Sequence, residues 1–277
     1  MPPLLEASCG ITNEFLVSNA LKACLYQSED HANKVLDALR GLKTDPTYCE
    51  WLRGRAGALY ILRIMRQGLP NIAGAINSVI KIVIEVMIPQ QPWVWNGWQY
   101  LGLVHGEIGI VTQIVLSDPS YASKLESKLQ SLLELQDLEG NWPVIEGKDN
   151  GLVQFCHGAP GFVFSLLAIR PHFPALHEKI DVAIPRGREI IWQRGLLTKE
   201  PNICHGITGN ALALEARQCE HFLTLATPER IDRDIAEGKF EKDIDQFGVL
   251  WGEAGRSWAW MAAWDGDYGK CILYTDV

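Results

Sequence analysis

The chain has no run of lysine and arginine, no long charge-free apolar stretch and no train of alternating β-branched residues. Each absence excludes something. Without a clustered basic face, and with a net charge of −8, nucleic acid is not an expected partner. The most apolar stretch, Ile72 to Ile88, is interrupted by Asn77, Lys81 and Glu85 at four-residue intervals. It reads as a mostly buried helix with a polar stripe and not as a transmembrane segment. The amino terminus, Met1-Pro2-Pro3-Leu4-Leu5-Glu6, lacks the basic-then-apolar order of an export signal. Seven cysteines, an odd number on a long chain, argue against a disulfide framework and for a reducing, cytoplasmic setting. Cys271 stands too far from the carboxy terminus for prenylation.

Six short glycine motifs are present instead. They begin at Gly10, Gly54, Gly106, Gly158, Gly206 and Gly252, at intervals of 44, 52, 52, 48 and 46 residues. Such a period marks a repeat architecture with one supersecondary unit per interval. Apolar runs follow the motifs, among them Phe162–Ile169, Ala211–Leu214 and Ser257–Trp264. Runs apolar nearly all round predict buried helices. Amphipathic segments lie between them. In 119–136, Leu125, Leu129, Leu132 and Leu133 share one face, with Asp118 as N-cap and Pro119 in the first helical position. The expected class is all-α, with helical hairpins repeated around an axis and the glycine loops gathered at one end. Pro185, inside the outer segment Leu176–Trp192, predicts a kink or break there.

Chemistry on a repeat scaffold is expected where one repeat departs from its siblings. Cys156-His157 and Cys204-His205 hold equivalent places in neighbouring repeats, and His105 holds the matching place one repeat earlier. Two thiolates and one adjacent imidazole make a zinc site with a vacant fourth position, the pattern of catalytic zinc. Chemistry alone leaves open whether His157 or His205 is the imidazole. His105 is an acid/base candidate or a hydrogen-bonded core histidine. Arg53 and Arg55, flanking Gly54, could reach an anionic ligand, or serve as solvated or helix-capping arginines. Trp93, Trp95 and Trp98 read as packing, with a peptide groove as the alternative.

Several blocks resemble the LanC-like family, whose founding members are bacterial lanthionine cyclases. They are Gly54-Arg55-Ala56-Gly57, Leu103-Val104-His105-Gly106 with Gly109, Gly140-Asn141-Trp142-Pro143, and Cys156-His157-Gly158-Ala159-Pro160-Gly161. Ile191-Trp192-Gln193-Arg194-Gly195-Leu196-Leu197 and Cys204-His205-Gly206 with Gly209-Asn210 continue the match, which looks like the eukaryotic branch. The resemblance implies an α/α toroid of seven hairpins, zinc held by Cys156, Cys204 and His205, and His105 as acid/base. It implies addition of a thiol, glutathione in the eukaryotic branch, to dehydroalanine or dehydrobutyrine in proteins or peptides, forming a thioether. The alternative is a non-catalytic scaffold that binds zinc and glutathione. A different toroid enzyme ranks third; for a glycosidase, Glu107 and Glu253 are the carboxylates at repeat phase.

Three departures stand out. About six of the family's seven repeats are present, so 1–277 reads as a single domain lacking an amino-terminal repeat. Asn13 occupies the place of the first motif's second glycine. Phe155 replaces the tryptophan usual before Cys-His-Gly.

Overall fold

The computed structural model describes residues 8–42, 49–148, 151–241 and 247–277. The segment 1–6, examined above for a leader, lies outside them. Twelve α-helices and no strands are present among the described residues, as an all-α class requires. The chain forms two compact units, one of residues 1–100, 104–126 and 277, the other of residues 101–103 and 127–276.

The first unit contains α1 (Glu14–Tyr26), α2 (Glu29–Arg40), α3 (Arg55–Gly68), α4 (Ala73–Met87), α5 (Glu107–Ser117) and the start of α6 (Ala122–Glu134). Helix α3 is its centre and packs on α1, α4 and α5. Every residue from Arg55 to Arg63 is buried, as is every residue from Glu107 to Val115 of α5. The polar members of these two helices satisfy each other where they meet: Arg63 Nη1 donates to Gln113 Oε1 at 2.8 Å. Helix α4 departs from the expectation of a mostly buried helix. It buries one stripe, Ile76, Val79, Ile80, Val83, Ile84 and Met87, and leaves Ile82 exposed. Lys81 and Glu85 pair weakly on the outer face, at 3.8 Å. With its flanking turns, Pro70–Gln90 is long and apolar enough to cross a membrane by length and composition. Its apolar stripe, however, is covered by α2 and α3.

The second unit holds the rest of α6, α7 (Ala159–Ile169), α8 (His177–Arg194), α9 (Ile207–Leu212), α10 (Ala216–Leu223), α11 (Pro228–Ala236) and α12 (Glu253–Asp265). Helix α7 is the apolar inner helix its sequence predicts, and it packs on α8. Trp142 stacks on Phe162 with ring centres 4.4 Å apart, and its Nε1 donates to the Leu132 carbonyl at 2.9 Å. The leucines of α6 are buried as expected. Asp118 accepts the Ser120 N–H at 3.0 Å, ahead of a short 3-10 turn that begins at Pro119.

Two expectations are corrected here. Helix α8 runs without a break through Pro185. The ring faces solvent, so the carbonyl that loses its helical donor, that of exposed Asp181, can turn to water. Helix α12 is not buried all round. It turns Gly255, Ala259 and Ala262 inward and leaves Trp260, Met261 and Trp264 exposed, the last by 90%.

The glycine motifs start the inner helices. Gly54, Gly106, Gly158, Gly206 and Gly252 are the N-caps of α3, α5, α7, α9 and α12. The second glycine serves close approach. A Cβ at Gly57 would collide with the Trp51 carbonyl, and one at Gly209 with that of Ile203, in each case the residue six places earlier. The first motif differs because its helix begins three residues later. Asn13 is itself the N-cap of α1: its Oδ1 accepts the Leu16 N–H at 2.9 Å and its Nδ2 donates to the Ser8 carbonyl at 2.7 Å.

Candidate functional site

Both sets of candidate residues occupy the loops that precede these N-caps, and each set is described within its own unit.

In the first unit, His105 immediately precedes the N-cap of α5. Its Nδ1 lies 2.9 Å from Glu50 Oε2. Glu50 is 1% exposed and also accepts the backbone N–H of Leu52, at 2.8 Å, and of Arg53. The carboxylate thus closes its own loop and fixes the imidazole through the same oxygen. With Nδ1–H donating to it, Nε2 carries the lone pair of the neutral ring. Trp95 lies flat against the imidazole, ring centres 3.9 Å apart and 7° between planes. Tyr100 meets the edge of Trp95 at 5.7 Å. Trp93, by contrast, is packing: it is buried, and its Nε1 donates to the Met87 carbonyl at 2.9 Å.

The two arginines part company. Arg53 is exposed, and its carbonyl accepts the N–H groups of Cys9 and Gly10. Arg55 is 3% exposed, neither solvated nor a simple cap. Its charge stabilises the thiolate forms of Cys9 and Cys49, but burial outweighs it and pushes those thiols up to about 12 and about 11.

In the second unit, Cys156 and Cys204 come together from loops 48 residues apart. The Cys156 N–H donates to the Cys204 carbonyl at 3.1 Å, and the Cys204 N–H to that of Leu250 at 2.9 Å. The two thiols hydrogen-bond each other. Gln154 Nε2 adds a donor to Cys156 Sγ at 3.2 Å. Accepting from Cys204 and Gln154 holds the Cys156 thiol below its ordinary range against the opposing effect of burial, whereas Cys204, the donor, is held well above it. Lys199 favours the thiolate at both positions. All seven cysteines are free.

His205 adjoins Cys204 in the chain, and its N–H is fixed by Asn202 Oδ1 at 2.8 Å. His157 donates its N–H to the Gln154 carbonyl at 3.1 Å. Among the described residues no three His, Cys, Asp or Glu side chains gather closely enough to hold a metal ion. What the fold assembles is the sulfur pair, with an imidazole one residue away. The donor types fit zinc: two thiols not engaged in a disulfide, and a histidine.

Two features escaped the sequence reading. One is Lys199. The other is the residue four places before the first glycine in three of the motifs. Glu50, Gln154 and Asn202 all occupy that phase, and each engages its own loop, Glu50 reaching His105 as well. The shared register was readable in the repeats; the partner of each side chain was not. The glycosidase candidates do not form a like pair, since Glu107 is 1% exposed while Glu253 is open to solvent and 3.6 Å from Arg256.

Comparison with known proteins agrees with the arrangement. The family model described as lanthionine synthetase C-like protein matches residues 6–256. Glutathione S-transferase LANCL1 of Danio rerio is 30% identical over 182 residues, 58% of this chain and 44% of that protein. LanC-like protein GCL1 of Arabidopsis thaliana is 37% identical over 124 residues, 43% of this chain and 28% of that protein. The chain therefore spans less than half the length of the curated relatives it matches. Among solved structures, nisin cyclase superposes with a TM-score of 0.58 at 15% identity, covering 96% of this chain and 78% of its own. At that identity the likeness speaks for the fold, that of the α/α toroids.

Proposed function

The chain belongs to the lanthionine synthetase C-like family, and from that membership we propose that it adds a thiol, glutathione, to the β-carbon of a dehydroalanine or dehydrobutyrine residue in a protein or peptide. The observation that carries this is the meeting of Cys156 and Cys204, two thiols from equivalent loops. The choice of glutathione is supported by the name of the Danio rerio relative, a glutathione S-transferase.

The reaction forms one S–C bond at the β-carbon, converts the C=C bond to a single bond and places one proton on the α-carbon. Nothing is oxidised and no group leaves. Two tasks follow. The incoming thiol must be present as thiolate, and the developing enolate must receive a proton. A zinc ion held by Cys156, Cys204 and His205 would lower the pKa of a thiol bound to it. The charge of Lys199 favours the thiolate at both sulfurs. The backbone bonds from Cys156 to Cys204 and from Cys204 to Leu250 hold the donor loops in register before any ligand arrives. His105 serves as the proton donor, and Glu50, at Nδ1 of the same ring, sets the direction of Nε2. The seven free thiols agree with a reducing, cytoplasmic setting, which is part of the same proposal.

The test is metal analysis of the purified chain together with mass spectrometry of a dehydroalanine peptide incubated with glutathione. We expect zinc in the wild type and a glutathione adduct on the peptide. Cys204→Ala should lose both, and His105→Ala should keep zinc and lose the adduct. A wild type that carries neither zinc nor activity overturns the proposal. Zinc and bound glutathione without adduct would identify a non-catalytic scaffold instead.

A further inference from the structure

The aromatic segment ahead of α5 has a geometry that the proposed reaction does not require by itself. Trp95 and Trp98 close a two-residue hairpin: the Trp95 N–H donates to the Trp98 carbonyl at 2.9 Å, and the Trp98 N–H to that of Trp95 at 3.0 Å. The residues between them, Asn96 and Gly97, have φ of 48° and 80°. Positive φ at both central positions is the type I′ turn, for which Asn-Gly is the preferred pair. The hairpin is therefore specified locally. Trp98 is 45% exposed. The tight turn thus serves Trp95, whose indole it sets flat on the His105 ring. Tyr100 braces the indole from its edge.

We infer that Trp95 is a positioning residue for His105, and that the Asn96–Gly97 turn is the device that holds it in place. The inference rests on His105 being the proton donor of the proposed addition. Glu50 and Trp95 restrain the imidazole in different ways. Glu50 holds one edge at Nδ1 and so fixes the tautomer and the direction in which Nε2 points. The indole face lies parallel to the imidazole, 7° between planes, and so sets the plane of the ring. Proton transfer to carbon needs Nε2 aimed along one line, and misplacement of a catalytic group by about 1 Å costs up to ~100-fold in rate.

The experiment compares wild type, Trp95→Leu, Trp95→Phe and Gly97→Ala. The kinetic readout is kcat and KM for thioether formation. The structural readout is the ring-proton and ring-nitrogen NMR signals of His105. The indole should displace the His105 ring protons upfield in the wild type. Trp95→Leu should abolish that displacement and lower kcat ~10- to 100-fold with KM for glutathione unchanged. Trp95→Phe, which restores an aromatic face, should recover most of both. Gly97→Ala changes no aromatic group, and its Cβ would enter open space, yet the positive φ strains any side chain there. It should move kcat and the NMR signals in the same direction as Trp95→Leu, which keeps the inference testable should the leucine variant not fold. Wild-type kcat in a folded Trp95→Leu, or His105 signals unmoved by it, would overturn the inference. If the wild type forms no thioether at all, the proposed function fails, while the His105 signals still decide whether Trp95 sets the ring.

Discussion

Glu50→Gln is the substitution that asks most of this site, because it keeps the size of the side chain and removes only its ability to accept at both ends. The two carboxylate oxygens have three N–H groups to serve. Oε2 faces Leu52 N–H and His105 Nδ1, and Oε1 faces Arg53 N–H. A glutamine amide has one oxygen and one NH2. If the oxygen stays with Arg53, the NH2 points at the Leu52 N–H and at His105, and the histidine can keep the bond only by adopting the other tautomer. If the oxygen stays with Leu52 and His105, the Arg53 N–H is left against another donor. Either way one buried donor is orphaned, which costs about 1–3 kcal/mol. For a chain of this size that lowers the melting temperature by a few degrees per kcal/mol. The first arrangement also puts a proton on Nε2 of the neutral ring, so the imidazole no longer presents the Nε2 lone pair that takes up the proton to be delivered. We expect kcat for thioether formation to fall by ~10-fold or more, with zinc content unchanged. Calorimetry, metal analysis and steady-state kinetics on one preparation suffice. A Glu50→Gln variant that melts at the wild-type temperature and turns over at the wild-type rate refutes the reasoning, since neither the loop nor the tautomer would then depend on the charge.

Further outcomes follow from packing and burial. Gly209→Ala should destabilise by about 1–3 kcal/mol, because its Cβ meets the Ile203 carbonyl one residue before Cys204; Gly74→Ala, in the first turn of α4 with nothing within 4 Å of the added carbon, should stabilise by about 0.4–1 kcal/mol and serves as the control in the same thermal melts. Burial pushes Cys9 and Cys219 up to about 12 and Cys49 to about 11. The folded chain holds these protons more tightly than the unfolded chain, so the associated stability is fully present below pH 9 and declines as pH rises from 9 towards 11–12. Urea midpoints measured between pH 8 and 11 should fall accordingly. In the folded protein at pH 8 these three thiols should resist iodoacetamide, and rapid labelling of Cys219 would contradict the burial on which the expectation stands.

Local signals in the sequence carried the helices a long way. The glycine that caps each inner helix, the leucine stripe of α6 and the all-apolar run of α7 each act within a few residues, and each is where periodicity places it. Repeat phase brought Cys156 and Cys204 together, because equivalent loops of adjacent repeats are neighbours. What remained hidden depended on the other side of a contact. Glu50 reads as one acidic residue in a loop until His105, 55 positions away, supplies the partner. Trp260 and Trp264 read as core until the small residues Gly255, Ala259 and Ala262 take the inward face of α12. Pro185 reads as a break, but a solvent-facing carbonyl has water in place of the missing donor. In each case composition was visible and direction was not.

The bond from Cys156 to Cys204, and the next from Cys204 to Leu250, run between main chains and not side chains. Each loop therefore takes its bearing from the loop of the repeat that follows, whatever residue stands at the contact. Side chains along this row can be exchanged with little effect on neighbouring loops, so ligands and proton carriers can be gained or lost one repeat at a time. An insertion between two such loops is tolerated while it bulges outward among the outer helices. A deletion that shifts a single main-chain partner would travel down the row and reach sulfurs it never touches.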